Sequence, residues 1–314
     1  MNVWDVTILL SKSLTYLAML TVPGVFFVIA LQRRASRHVD WPPDMAVRTH
    51  LLFYFLLPML VLGILSVSVF FLAQVGAVNQ QGVAGMFDQE MGAIMASTAL
   101  GDGVQWRLNG FFLSAIAVGL LWLGAHLPSY RQRLERLALL LVLLATLVFA
   151  WSFAILGHTN VLSMDVRLML GLHLIVVSVW VGALYPLYRL CSGNKDSDGA
   201  VLALLMRDFG RAGWGFVVIL LVTGLYLIVA LVGSWAALLS SGYGRLLLLK
   251  LILVSGLLAL GSLNKFRLVP ALHDTAQPEV VTLRLRRSII AEMVLAALIL
   301  LATATLTTLT GPSV

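Results

Sequence analysis

Hydrophobic residues in this chain gather into eight long runs separated by short polar stretches, and each run is long enough to cross a bilayer. The runs cover roughly 4–31, 50–75, 105–126, 134–156, 166–190, 211–234, 245–264 and 288–310. About 20 consecutive apolar residues span a hydrocarbon core as an α-helix, so the pattern predicts an all-α integral membrane bundle of eight transmembrane helices. Backbone polar groups in lipid must be satisfied internally, which helices do and open sheets do not. Pro23-Gly24 interrupts the first run and predicts a bend there. That run is too long for a signal-peptide core, and no small-residue cleavage site follows it before Arg33, so it counts as a span. No stretch long enough for a soluble domain is left, and residues 1–314 read as a single transmembrane domain.

Composition agrees, with 60% hydrophobic and 11% charged residues and a mean hydropathy of +0.98. The net charge of +7 invites a nucleic-acid reading, but the placement of the charges rejects it. Arg33, Arg34, Arg37 and Arg48 lie between spans one and two, and Arg131, Arg133 and Arg136 between three and four. Arg189, Lys195, Arg207 and Arg211 lie between five and six, and Lys265, Arg267, Arg284, Arg286 and Arg287 between seven and eight. The opposite loops hold no Lys or Arg away from helix edges. This is the positive-inside pattern, and it predicts both termini outside the cytoplasm, which in a bacterial-type inner membrane is the periplasm. The partner this implies is the lipid bilayer, with no nucleic acid. A single cysteine, Cys191 at the inner end of span five, excludes an internal disulfide and any cysteine cluster for zinc or iron–sulfur.

A loose repeat divides the chain into halves 1–157 and 158–314. Thr15 and Pro23-Gly24 of span one correspond to His173 and Val181-Gly182 of span five. Arg107 near the start of span three corresponds to Lys250 near the start of span seven. Four helices per half would keep the halves parallel about an axis along the membrane normal, and His173 opposite Thr15 would make the two sites unequal.

An ionisable group in the hydrocarbon core costs at least ~2.5–3.5 kcal/mol, so it usually faces a bundle interior. His173 lies about seven residues into span five, roughly 10 Å below the outer surface, and His158 ends span four nearby. Imidazole suits copper, zinc or haem iron, and thioether sulfur selects Cu(I). Met86, Met91, Met95, Met164 and Met169 all fall near the same outer face, and Met91, Met95 and Met164 are the sulfur donors expected to join the two histidines. The stretch from Met86 to Met95 reads as a short interfacial helix in the longest outer loop, 76–104. Trp180, seven residues beyond His173, shares its helix face and would shield it. Lys250 and Glu292 fit gating, proton coupling or charge balance; at different depths, they are not expected to pair. Snorkelling accounts for Lys12 and Arg107. No phosphate-binding loop, nucleophile elbow, zincin motif or paired-carboxylate arrangement occurs.

The C-terminal third carries a resemblance. Arg207-Asp-Phe-Gly-Arg211, then Val222-Thr-Gly-Leu225, then Gly242-Tyr-Gly-Arg-Leu-Leu-Leu-Leu-Lys250 resembles the CopD copper-resistance family. Asn264-Lys-Phe-Arg267, Pro270 and the segment from Leu283 to Glu292 continue it, so that residues 207–312 carry it best. The resemblance implies an inner-membrane copper-homeostasis protein that moves copper from periplasm to cytoplasm beside a periplasmic CopC-like copper-binding partner. By it, His158 and His173 match the histidines expected near the outer face, and Lys250 and Glu292 the family's intramembrane charges. A smaller resemblance competes: Leu172-His173-Leu, Trp180-Val-Gly-Ala-Leu184 and Leu249-Lys250-Leu look like haem-binding membrane oxidases of the HemJ type. That resemblance implies haem b on His173, with His158 the nearest second ligand, and a haem-dependent oxidoreductase.

The expectation is therefore a transporter rather than an enzyme, binding Cu(I) at its outer face. The alternatives are a haem b redox protein and a non-transporting membrane partner that docks a periplasmic copper carrier through the 76–104 loop.

Overall fold

The computed structural model describes residues 2–35, 50–156, 163–192, 199–232, 235–274 and 278–309, and every regular element among them is helical. The elements are α1 (Val3–Ala35), α2 (Leu57–Asn79), α3 (Gln89–Ala96), α4 (Ala99–His126), α5 (Arg131–Ile155), α6 (Met164–Leu190), α7 (Gly199–Val232), α8 (Trp235–Ser240), α9 (Gly242–Leu263), α10 (Val269–Asp274) and α11 (Pro278–Leu309). Eight helices among the described residues are long and apolar enough to cross a membrane, in the places the hydropathy marked. Several begin earlier than the apolar runs. The fourth helix starts at Ala99 rather than 105, the sixth span at Leu202 rather than 211, and the eighth at Glu279 rather than 288. Backbone hydrogen bonding does not stop where hydropathy does, so charged turns extend these helices past the hydrocarbon.

Local chemistry sets the helix ends. Asp88 caps α3 by accepting from Met91 N at 2.8 Å, which gives the short helix expected after Met86, and Ser241 caps α9 through Gly244 N at 2.9 Å. Gln80 closes α2 in the left-handed conformation. A wide π-helical turn precedes Pro58 at His50–Leu56, and another precedes Pro270 at Asn264–Leu268. A proline lacks the N–H of the regular ladder and crowds the preceding turn, which a wider turn relieves. α1 runs through Pro23 as one continuous helix.

The bundle is built around α1. Its most apolar window is 78% buried against 6% for the spans containing α7 and α9, and it packs on α2, α5, α6, α7 and α11. Spans one to four close on themselves, α4 with α5, α2 with α4, and both α2 and α5 with α1. In the second half α6 packs on α7 and α11, and α11 on α9, but α7 and α9 barely touch. The halves meet where α1 crosses α6 at Gly24 and Gly182, and a Cβ added to Gly182 would lie 1.9 Å from Leu20 O. Small residues of this kind let membrane helices approach backbone to backbone. Lys12 Nζ donates to Thr307 O at 3.0 Å, so the start of α1 and the end of α11 share one face of the bundle, here the terminal face. Arg33, Arg131, Arg211 and Arg286 lie toward the other, the basic face.

Candidate functional site

On α6, residues 165, 169 and 173 lie one turn apart and face α7. Tyr226 donates to the Asp165 carboxylate near the terminal face. Deeper, His173 Nδ1 lies 2.9 Å from Thr223 Oγ1. The hydroxyl of Thr223 spends its one proton on Ile219 O, 2.6 Å away, so its oxygen is left to accept from the imidazole. In the tautomer that satisfies both contacts the proton sits on Nδ1 and Nε2 keeps its lone pair, the arrangement by which a neighbour fixes tautomer and ring orientation in metal-binding histidines. Gly224 lies beside the ring: a Cβ there would sit 3.6 Å from His173 Cε1, an ordinary contact distance. Lys250 is half-buried on α9. Among the described residues no carboxylate forms an ion pair with it.

Two turns further from the terminal face, Trp180 is 7% exposed and packs against Gly261 of α9. Beyond it opens a cavity of about 290 Å³ between α6, α7, α9 and α11, lined mostly by apolar side chains. Glu292 reaches this cavity, and Asn264 Nδ2 donates to its carboxylate at 2.5 Å. Asn264 Oδ1 is buried without a donor. His173 and Glu292 thus lie on either side of Trp180, and Glu292 pairs with Asn264 rather than with Lys250.

The other expected donors lie elsewhere. Met91 and Met95 are on α3, which packs on α2 and α4 of the first half. Met164 opens α6 at 55% exposure; nine residues before His173, it points from the opposite side of the helix. The methionine on the His173 face is Met169, one turn away and half-buried. His158 lies outside the described residues. Among the described residues no group of three or more His, Cys, Asp and Glu side chains is placed to hold a metal ion. Thr223, which orients His173, stood in the sequence only within the Val222-Thr-Gly-Leu225 motif of the resemblance, with no sign that it faces His173.

Arg107 corrects an expectation. It does not snorkel: it is 1% exposed, with its guanidinium carbon 5.1–5.8 Å from the ring centres of Tyr16, Phe70 and Phe153. Nε donates to Ser152 Oγ at 3.4 Å, and one terminal nitrogen is buried without an acceptor. Lys12 does reach a helix end, donating to Thr307 O and Thr308 Oγ1.

Comparison with known proteins returns one relationship. Residues 203–306, about a third of the chain, match the family described as Copper resistance protein D. No curated protein and no solved structure matches the chain. The matched segment comprises spans six to eight, the same region that carried the resemblance in sequence. It supplies Thr223, Tyr226, Lys250, Asn264 and Glu292, whereas His173 and Asp165 lie outside it. At the level the match supports, the chain is a multi-span membrane protein with a segment like those of the copper-resistance proteins.

Proposed function

We propose that this protein handles copper in a bacterial inner membrane, taking Cu(I) at the periplasmic side and passing it toward the cytoplasm. One observation carries the reading: the His173 imidazole is held, Nδ1 to Oγ1 at 2.9 Å, by a threonine of the very segment that matches the copper-resistance family. In this account His173 is the first ligand and Met169 the nearest sulfur on its face. His158, which precedes α6 in the sequence, is the second ligand of this account, and Met91, Met95 and Met164 gather the ion at the surface rather than at His173. Trp180 separates the entry site from the cavity that holds Glu292.

Lys250 supplies charge balance. An ammonium held in the same half of the bundle as His173 offsets the negative charge of Glu292 while the site is empty. Glu292, beyond Trp180, offers the negative charge that draws the ion onward. The positive-inside distribution supports a cytoplasmic basic face and periplasmic termini.

Two parallel halves, 1–157 and 158–314, are supported by matched contacts. Thr15 bonds Ser66 across spans one and two as His173 bonds Thr223 across spans five and six. Gly24 meets Gly182 at the crossing. These correspondences share one separation along the chain to within a residue. A separate CopC-like protein would deliver copper at the terminal face, where α3 is the surface for it.

The free Nε2 suits haem iron equally well, so haem b on His173 stands as the second reading, with Lys250 beside it as the weaker resemblance implies. Copper accumulation in cells separates the two. Substituting His173→Ala at equal expression should abolish the copper-dependent change in accumulation and sensitivity, and unchanged copper handling would overturn the proposal.

A further inference from the structure

The gap between α7 and α9 has no counterpart in the first half, where α2 packs on α4. It holds the apolar cavity of about 290 Å³ described above, and a second cavity of about 470 Å³ continues from it toward the basic face. The two share Met206, Gly210, Lys265 and Val269 in their walls, so they form one continuous cleft. The outer part is lined by Arg207, Arg211 and Lys265. Asp208 pairs with Arg211 at 3.4 Å, which leaves the mouth with a net positive charge. Lys265 Nζ sits 4.7 Å from the Trp214 ring centre, and Trp214 is 52% exposed. Tryptophan at such a level marks the membrane–water interface.

A lateral opening between transmembrane helices does not stay empty in a bilayer, because hydrocarbon chains are the solvent there. What distinguishes this opening is the pairing of an apolar cleft with a cationic mouth at interfacial depth. Basic pockets between spans on the cytoplasmic side select anionic headgroups. We propose that the cleft between α7 and α9 is a binding site for an anionic phospholipid. Its phosphate lies among Arg207, Arg211 and Lys265, and one acyl chain enters the cavity beside Trp214 and Phe209. The lipid thereby takes the place of the missing α7–α9 contact. This inference is independent of which metal or cofactor His173 takes.

Native mass spectrometry of the detergent-purified protein, titrated with phosphatidylglycerol or phosphatidylethanolamine, tests it. The intact protein should retain phosphatidylglycerol at least tenfold better than phosphatidylethanolamine, and the double variant Arg207→Gln/Lys265→Gln should lose that preference. Gly213 lines the cleft and an added Cβ there meets nothing within 4 Å. Gly213→Leu should therefore fill the cleft, expel the lipid and still unfold at or above the temperature of delipidated wild type. Equal retention of the two lipids, or phosphatidylglycerol retention unchanged in both variants, would overturn the proposal. So would inorganic phosphate competing as well as the lipid, or a lipid-free dimer that Gly213→Leu disrupts.

Discussion

The crossing of α1 and α6 makes a severe prediction, because the contact is backbone on backbone. A Cβ on Gly24 would lie 2.0 Å from Gly182 C, and one on Gly182 only 1.9 Å from Leu20 O, whereas ordinary contact begins at 3.4 Å. For Gly182→Ala the helices must therefore part by about 1.5 Å, since no side chain can swing aside. A radial gap of about 0.5–1 Å already forfeits a quarter to a half of a dispersion contact, and five other helices pack on α1. Overpacking ordinarily costs about 1–3 kcal/mol, and an obstruction made wholly of backbone belongs at the upper end, near 3 kcal/mol. Gly215→Ala is the internal control: its Cβ meets nothing within 4 Å, and alanine is the better helix former. Unfolding in mixed micelles of increasing dodecyl sulfate fraction, followed by far-ultraviolet circular dichroism, measures both. If Gly182→Ala unfolds within about 0.5 kcal/mol of Gly215→Ala, the close crossing is wrong.

Other outcomes follow from single contacts. Thr223→Val should weaken Cu(I) binding by roughly 10–100-fold, as loss of a residue that orients a metal-binding histidine does, while Thr223→Ser should retain it; a competitive chelator titration decides. Arg107→Met removes a buried cation that lacks a carboxylate partner, so stability should hold or rise by about 1–4 kcal/mol; a loss as large as that of Gly182→Ala would contradict it. Burial pushes the Cys191 thiol up to about 12 from 9.0, so at pH 8 the folded chain carries roughly a thousandfold less thiolate than the unfolded one. Maleimide labelling should be correspondingly slow until the protein is denatured. The same shift leaves stability untouched below pH 9 and erodes it only as pH rises toward 12, because there the unfolded chain loses a proton that the folded one keeps.

The spans were legible because length and apolarity alone identify a transmembrane helix, without any knowledge of its neighbours. Helix rotation is another matter. Thr223, Ser66 and Tyr226 look like ordinary residues of apolar helices, and only packing reveals that they face His173, Thr15 and Asp165. The same limit hid the aromatic cage of Arg107, whose walls come from α1, α2 and α5. Met164 and Met169 could have been told apart in advance: the helical period puts the first opposite His173 and the second beside it. Gly24 and Gly182 were visible as corresponding positions, but their direct meeting depends on α1 and α6 being neighbours. Glu292 stood out as a buried charge, whereas its partner Asn264 figured only in the segment that carried the resemblance.

The claim that His173 presents Nε2 to Cu(I) is tested most directly on the purified protein, by titrating Cu(I) under anaerobic conditions while recording the visible spectrum. The account predicts tight Cu(I) binding that His173→Ala abolishes, with no visible absorption in the oxidised or dithionite-reduced protein. A Soret band that disappears in His173→Ala would contradict it and assign the imidazole to haem, as would Cu(I) binding that survives the substitution unchanged.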